Sequence, residues 1–124
     1  MNESAEKIQQ SELEVMRVVW EADEPVPLNQ IRQILAQRRG WEDSTVKTLL
    51  RRLCGKNAVK LVRRGVYAAA VTKAEYSRWS VKDYVSRVFA GSAKELVASL
   101  IHGGDLSQED IAELSKMFNE GSKQ

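Results

Sequence analysis

The sequence predicts a mainly α-helical fold that carries one short β-hairpin. Six stretches place apolar residues three or four positions apart, which is the spacing of an amphipathic helix. One stretch, Val59–Val71, is instead rich in β-branched residues and has a tight-turn sequence, Arg63-Arg64-Gly65, at its centre. With 124 residues, 43% of them hydrophobic and 29% charged, the chain has the composition of a small globular protein.

The first two helices are predicted from their end signals. We expect the first helix over Ser11–Ala22, because Ser11 and Glu14 have the spacing of a capping box. The second should begin with Pro27 in its first turn, where a missing N–H costs no hydrogen bond, and should end at Gly40.

A third helix is expected from a cap at Asp43 or Ser44 to about Lys56. One side of it is apolar and the other carries hydroxyls and cations, which is typical of a recognition helix that lies in a DNA major groove. The short connection to the second helix indicates a helix-turn-helix, and the basic hairpin that follows extends the fold class to a winged helix-turn-helix. The apolar residues are Val46, Leu49, Leu50 and Leu53, and the polar face has Ser44, Lys47, Thr48 and Arg51.

The charge of this region is strongly segregated. The whole chain has a net charge of only +2, yet the stretch from Ser44 to Ala74 holds eight basic and no acidic residues. Such a surface suits a polyanion, and Arg63 and Arg64 at the turn are expected to reach a flanking phosphate or the minor groove. The eight cations are Lys47, Arg51, Arg52, Lys56, Lys60, Arg63, Arg64 and Lys73.

Three further amphipathic helices are predicted from Thr72 to Gly91, from Ser92 to His102 and after the capping pair Ser107 and Asp110. They have too little chain of their own to bury their apolar faces against, so we interpret residues 72–124 as a helical dimerisation domain and residues 1–71 as a winged-helix DNA-binding domain. The expected dimer interface is formed by Tyr84, Val88, Leu96, Leu100, Ile111, Leu114 and Phe118.

Several classes of function are not favoured by the sequence. We find no phosphate-binding glycine loop, nucleophile and base pair or set of metal ligands, so we expect no enzyme, no catalytic residue, no metal and no cofactor. A single cysteine, no signal-peptide pattern and no apolar run of about 20 residues suggest a cytoplasmic protein that does not enter a membrane. The alternative to a DNA-binding protein is a winged-helix module for protein interaction or assembly, without sequence-specific DNA binding.

Three stretches carry a resemblance to a known family. Ser11–Trp20 is similar to its opening helix, Trp41–Leu53 to its recognition helix, and Asp105–Leu114 to the last helix of its dimerisation region. Over nearly its whole length the chain resembles the penicillinase and methicillin-resistance repressors together with the copper-responsive repressors, the BlaI/MecI/CopY family.

This resemblance implies a homodimeric repressor that binds double-stranded operator DNA, a pseudo-palindrome built around TACA and TGTA half-sites. It also implies release by an inducing signal, with a protease or sensor that acts on the dimerisation domain as a further partner. By the family's pattern, the base-contacting residues would be Ser44, Thr45 and Thr48, with Lys47, Arg51 and Arg52 close to phosphates.

The sequence departs from the family's pattern at several places. Leu13 stands where members usually have Trp. Ser44 stands where they usually have Lys, so half-site preference could differ, and the wing after Gly65 is shorter, so it should contact fewer phosphates. Copper-responsive members end in Cys-x-Cys pairs, whereas this sequence ends at Gln124 without one, so we expect no copper sensing of that form. The resistance repressors are cut at an Asn-Phe bond that aligns with Ser99-Leu100. Because neither residue matches, we do not expect that cut here.

Overall fold

The computed structural model describes residues 8–122 of the chain. It confirms the predicted mainly α-helical winged helix-turn-helix. Two compact units are present, and the boundary between them falls between Ser80 and Val81. The elements in chain order are α1 (Gln10–Glu21), β1 (Val26–Pro27), α2 (Leu28–Arg39), α3 (Asp43–Gly55), β2 (Val59–Arg63), β3 (Val66–Ala69), α4 (Lys73–Val88), α5 (Ala93–His102) and α6 (Gln108–Ser122).

The core of the first unit is formed by the apolar stripes of α1, α2 and α3. Removing these side chains from water is the main term that holds the three helices together, at roughly 1.5–3 kcal/mol for each large side chain. This packing fixes which face of α3 points to solvent. The largest fully buried apolar side chains include Met16, Ile31, Leu35, Leu50 and Leu53.

The ends of the helices correct two predicted caps. The N-cap of α1 is Gln9 and not Ser11, and the backbone N–H of Gln9 donates to Glu12 Oε1 at 2.9 Å. The N-cap of α3 is Glu42, so neither Asp43 nor Ser44 caps that helix.

The predicted end of α2 at Gly40 is confirmed. Gly40 is left-handed, with φ 68°, and its N–H donates to the carbonyl of Ala36 at 2.9 Å. A left-handed residue of this kind is strained unless it is glycine, which explains why α2 ends at Gly40.

The predicted hairpin is present as β2 and β3, which pair antiparallel around a turn that contains Gly65 with φ 73°. Strand β1 was not expected from the sequence. It pairs with β3 through Val26 and Tyr67, so the sheet has the order β1-β3-β2. The N–H of Leu28 also donates to the carbonyl of Gly65 at 2.8 Å, which ties the turn of the hairpin to the start of α2.

The second unit contains the end of α4 together with α5 and α6. The Ser92 side chain caps α5 by accepting from the N–H of Glu95 at 3.2 Å. The predicted capping pair of α6 is confirmed: the N–H of Asp110 donates to Ser107 Oγ at 3.0 Å, and the N–H of Ser107 donates to Asp110 Oδ2 at 3.1 Å.

Candidate nucleic-acid interface

Helix α3 has the two faces that its sequence predicts. Val46, Leu49, Leu50 and Leu53 are at most 4% exposed, and they anchor the helix on the core. The opposite face, which carries Lys47 and Arg51, is exposed to solvent. The apolar stripe therefore sets the rotation of α3 and directs its polar side chains outward.

The cations of this face form no close ion pairs with their neighbours in the described part of the chain. Within residues 8–122, no carboxylate forms an ion pair with Lys47, Arg51 or Arg52. Arg63 is the last residue of β2 and Arg64 the first residue of the turn that follows it. Both are exposed and have no ion pair within residues 8–122. Unpaired cations on a rigid helix and a hairpin keep their full charge for an external anion. We call these five residues the cationic surface.

Lys56 does not belong to the cationic surface, although it is one of the eight cations in the basic stretch. Its Nζ lies 2.5 Å from Glu12 Oε1, and only 22% of the Lys56 side chain is exposed. The charge of Lys56 is therefore offset by a carboxylate from α1, a contact 44 residues away in sequence.

Asp43, the one acidic side chain in the first turn of α3, is paired as well. Arg32 of α2 forms an ion pair with its carboxylate. The hydrogen bond from this guanidinium holds the pKa of Asp43 below its ordinary value. The pair reduces the repulsion that a bare carboxylate would exert on a phosphate close to the start of α3.

The three hydroxyl residues of α3 differ in their surroundings. Ser44 and Thr45 are exposed, whereas Thr48 is half-buried. Thr48 Oγ1 donates to the carbonyl of Ser44 at 2.9 Å, so its hydroxyl proton is already used. The lone pairs and the methyl group of Thr48 remain for a ligand, which suits a hydrogen-bond donor or a thymine methyl on a base edge.

Sequence reasoning did not identify Glu12 or Arg32 as partners of the recognition helix. Glu12 is 0% exposed, although it is charged. Its position three and four residues before Val15 and Met16, which are both buried, puts it on the apolar face of α1. That spacing was the available signal for its burial. For Arg32 the sequence contains no comparable local signal.

The second unit exposes a large amount of apolar surface. The residues predicted for a dimer interface are exposed in the single chain, except Leu96, which is half-buried. Three of them, Ile111, Leu114 and Phe118, line a groove of about 370 Å³ together with Val97 and Ile101. Phe118 is 74% exposed, which is unusual for a large aromatic residue.

The fold and the cationic surface together define a winged helix-turn-helix protein whose recognition helix presents hydroxyls and unpaired cations. Residues 8–120 match the model of the penicillinase repressor family. The chain belongs to the penicillinase repressor family.

Relatives of similar length are found in several bacteria. The chain is 27% identical over 117 residues to the penicillinase repressor of Bacillus licheniformis, covering 92% of this chain and 91% of the relative. It is 28% identical over 122 residues to the methicillin resistance regulatory protein MecI of Mammaliicoccus sciuri, covering 96% and 98%. It is 32% identical over 121 residues to a 16.5 kDa protein in the ptsI 3′ region of Latilactobacillus sakei, covering 95% and 82%.

The chain is similar to a solved structure, the solution structure of the DNA binding domain of the repressor BlaI. The TM-score is 0.53 at 29% sequence identity, over 61% of this chain and 94% of that domain. Among the helices of residues 8–122, none has the length and apolarity that crossing a bilayer requires.

Proposed function

We propose that the chain is a homodimeric transcriptional repressor. It binds a pseudo-palindromic operator with TACA and TGTA half-sites and blocks transcription until an inducing signal releases it. The observation that carries the proposal is helix α3, whose apolar face is buried while Lys47, Arg51 and Arg52 stay unpaired in the described chain. The names of the relatives, repressors and regulators rather than enzymes, support a role without catalysis.

In this proposal, the polar residues of helix α3 and of the β2–β3 hairpin have two roles. Ser44, Thr45 and Thr48 contact base edges, because their hydroxyls and methyl groups are short and sit on the outer face near the start of α3. The five residues of the cationic surface contact phosphates, which supplies affinity but little sequence discrimination.

The dimer is formed by the second unit, residues 81–124. Its exposed apolar side chains gain burial only against another surface, and a second copy of the chain supplies an identical apolar surface by twofold symmetry. Two copies also place two recognition helices on one duplex, which matches the two half-sites of a palindrome. The predicted DNA-binding domain of residues 1–71 and dimerisation domain of residues 72–124 keep these roles in the proposal, although the two compact units divide after Ser80 rather than after Val71.

Release is proposed to act on the dimer, through a protease or sensor directed at the dimerisation domain. Separating the subunits halves the DNA contacts and so removes most of the affinity. Ser99 and Leu100 lie inside helix α5, and a peptide bond there is accessible to a protease only after local unfolding. The proposed repressor acts in the cytoplasm, where bacterial operators are located.

A binding titration tests the proposal. The labelled probe is a duplex with one TACA/TGTA palindrome, compared with a scrambled duplex of equal length by fluorescence anisotropy. We expect the palindrome to bind at least about 1000-fold more tightly at physiological salt, the lower end of specific recognition. Equal affinity for the two duplexes would contradict the repressor and would favour the protein-interaction module.

A further inference from the structure

Glu12 is a buried carboxylate with an unusual position for a charged group. It is 0% exposed, and its Oε1 accepts from Lys56 Nζ at 2.5 Å and from the N–H of Gln9 at 2.9 Å. Its other oxygen, Oε2, is buried and has no hydrogen-bond partner among the described residues. A carboxylate taken out of water is costly unless it is paired, so the contact with Lys56 is the condition for its burial.

Lys56 stands at the corner where the recognition helix ends and the wing begins. It is the C-cap of α3, and its N–H donates to the carbonyl of Arg52 at 3.0 Å. The next residue, Asn57, is left-handed with φ 61°, and the N–H of Ala58 donates to the carbonyl of Leu53 at 2.9 Å. Strand β2 begins immediately afterwards, so this corner sets the direction of the helix and of the hairpin together.

We propose that Glu12, acting through Lys56, is a positioning residue for DNA recognition. The buried pair fixes the end of α3 against α1 and thereby holds the base-contacting face at the angle that sequence discrimination needs. The inference rests on the proposed function, because it takes duplex DNA as the partner. Glu12 itself contacts no DNA in this scheme.

The other ion pairs between the helices are more exposed. Asp43 of the Arg32–Asp43 pair has 56% of its side chain exposed, and Glu21 of the Glu21–Arg38 pair also has 56%. Water and salt weaken exposed pairs of this kind. Glu21 provides a matched control, because it also lies on α1 and pairs with α2, but none of its ion pairs or hydrogen bonds within residues 8–122 involves α3.

The first experiment compares Glu12→Gln with Glu21→Gln in the full chain. Binding to the TACA/TGTA palindrome and to the scrambled duplex is measured by anisotropy at 25 °C, with folding verified by circular dichroism. Glu12→Gln is expected to lose about ten-fold in palindrome affinity, comparable with one lost base contact, and nothing for the scrambled duplex, since no cation is removed. Glu21→Gln should leave both affinities unchanged.

Amide hydrogen exchange gives a readout without DNA. Glu12→Gln should speed exchange at the amides of Lys56 and Ala58, and Glu21→Gln should not. Lys56→Arg keeps a cation opposite Glu12 and should retain the slow exchange. If Glu12→Gln does not fold, the double variant with Glu12→Gln and Lys56→Met takes its place. This variant removes both charges of the pair, so no charge stays buried without a partner, and it should show the same faster exchange at Ala58.

These measurements distinguish the positioning role of Glu12 from the proposed repressor function. Unchanged palindrome affinity and unchanged exchange in Glu12→Gln would overturn the positioning role. Equal losses for both duplexes would also overturn it, because general destabilisation does not discriminate between sequences. If the unmodified chain itself does not prefer the palindrome, the proposed function is wrong, and so is the role of Glu12 in DNA recognition. Amide exchange then decides whether the Glu12–Lys56 pair fixes the end of α3.

Discussion

Replacing Arg51 by alanine should lower the affinity for duplex DNA of any sequence and should flatten its dependence on salt. Arg51 is exposed on the outer face of α3 and has no ion pair within the described chain, so its charge is available to a phosphate. Each phosphate contact releases condensed counterions, and the release is what makes binding weaker as salt increases.

The magnitude follows from the cationic surface. One phosphate contact for each of the five cations in both subunits would give the proposed dimer ten contacts. Ten contacts correspond to a slope of about −9 for the logarithm of the association constant against the logarithm of salt concentration. Arg51→Ala removes one contact from each subunit and should change the slope to about −7. The slope is obtained from anisotropy titrations between about 50 and 200 mM salt, with both the palindrome and the scrambled duplex.

The matched control is Arg87→Ala. Arg87 lies in α4 within the second unit, and its Nε forms an ion pair with Asp83 at 2.9 Å. This variant loses the same charge and should leave the slope unchanged. If Arg51→Ala and Arg87→Ala show the same slope as the unmodified chain, or if both reduce it equally, the phosphate role of the cationic surface is refuted.

Three other predictions concern single side chains. Thr48→Ala should reduce palindrome affinity about ten-fold without changing the affinity for scrambled DNA, and equal losses would contradict a base contact. Leu114→Asp should convert the dimer to a monomer, as measured by sedimentation, whereas Ala112→Asp, which lies outside the groove, should not. A Leu114→Asp chain that remains dimeric would exclude this interface. Asp43→Asn should lower the melting temperature near neutral pH, because the ion pair that lowers the pKa of Asp43 stabilises the fold above about pH 4. The difference in melting temperature from the unmodified chain should vanish below the folded-state pKa of Asp43, where the carboxyl is protonated. A difference that stays constant with pH would contradict the ion pair.

Local patterns in the sequence were sufficient for most of the fold. The stripe of α3 could be predicted because side-chain direction follows directly from helical spacing, and all four predicted apolar residues of α3 are buried. Gly40 could be predicted as a helix end because a left-handed residue strongly favours glycine. The hairpin around Gly65 depends on the same local property.

The features that the sequence did not reveal depend on distant partners. Strand β1 has two residues, one of them Pro27, and exists because Tyr67 and Val66 pass beside it. Gln9 replaces Ser11 as the cap of α1 because Glu12, buried against Lys56, accepts from the N–H of Gln9. A contact between residues 44 positions apart leaves no periodic signal in the sequence, so only the folded structure reveals it.

The candidate site was predictable in its orientation and less so in its charge. The exposure of Lys47 and Arg51 follows from the stripe opposite to them, and the structure confirms it. Lys56 belongs to the same basic stretch of the sequence, yet it is paired with Glu12. The charge that faces solvent is therefore smaller than the count of basic residues indicates. The contacts of individual side chains with bases and phosphates stay predictions.

In the proposed repressor, two copies of one hydroxyl-bearing, cationic helix read two half-sites of a duplex. The most direct measurement is the affinity and stoichiometry for an intact TACA/TGTA palindrome and for a duplex in which one half-site is scrambled. The proposed repressor should bind as two chains per intact palindrome, and its affinity should fall at least about 100-fold when four base pairs of one half-site are replaced. One chain per duplex, with the same affinity for both, would contradict it.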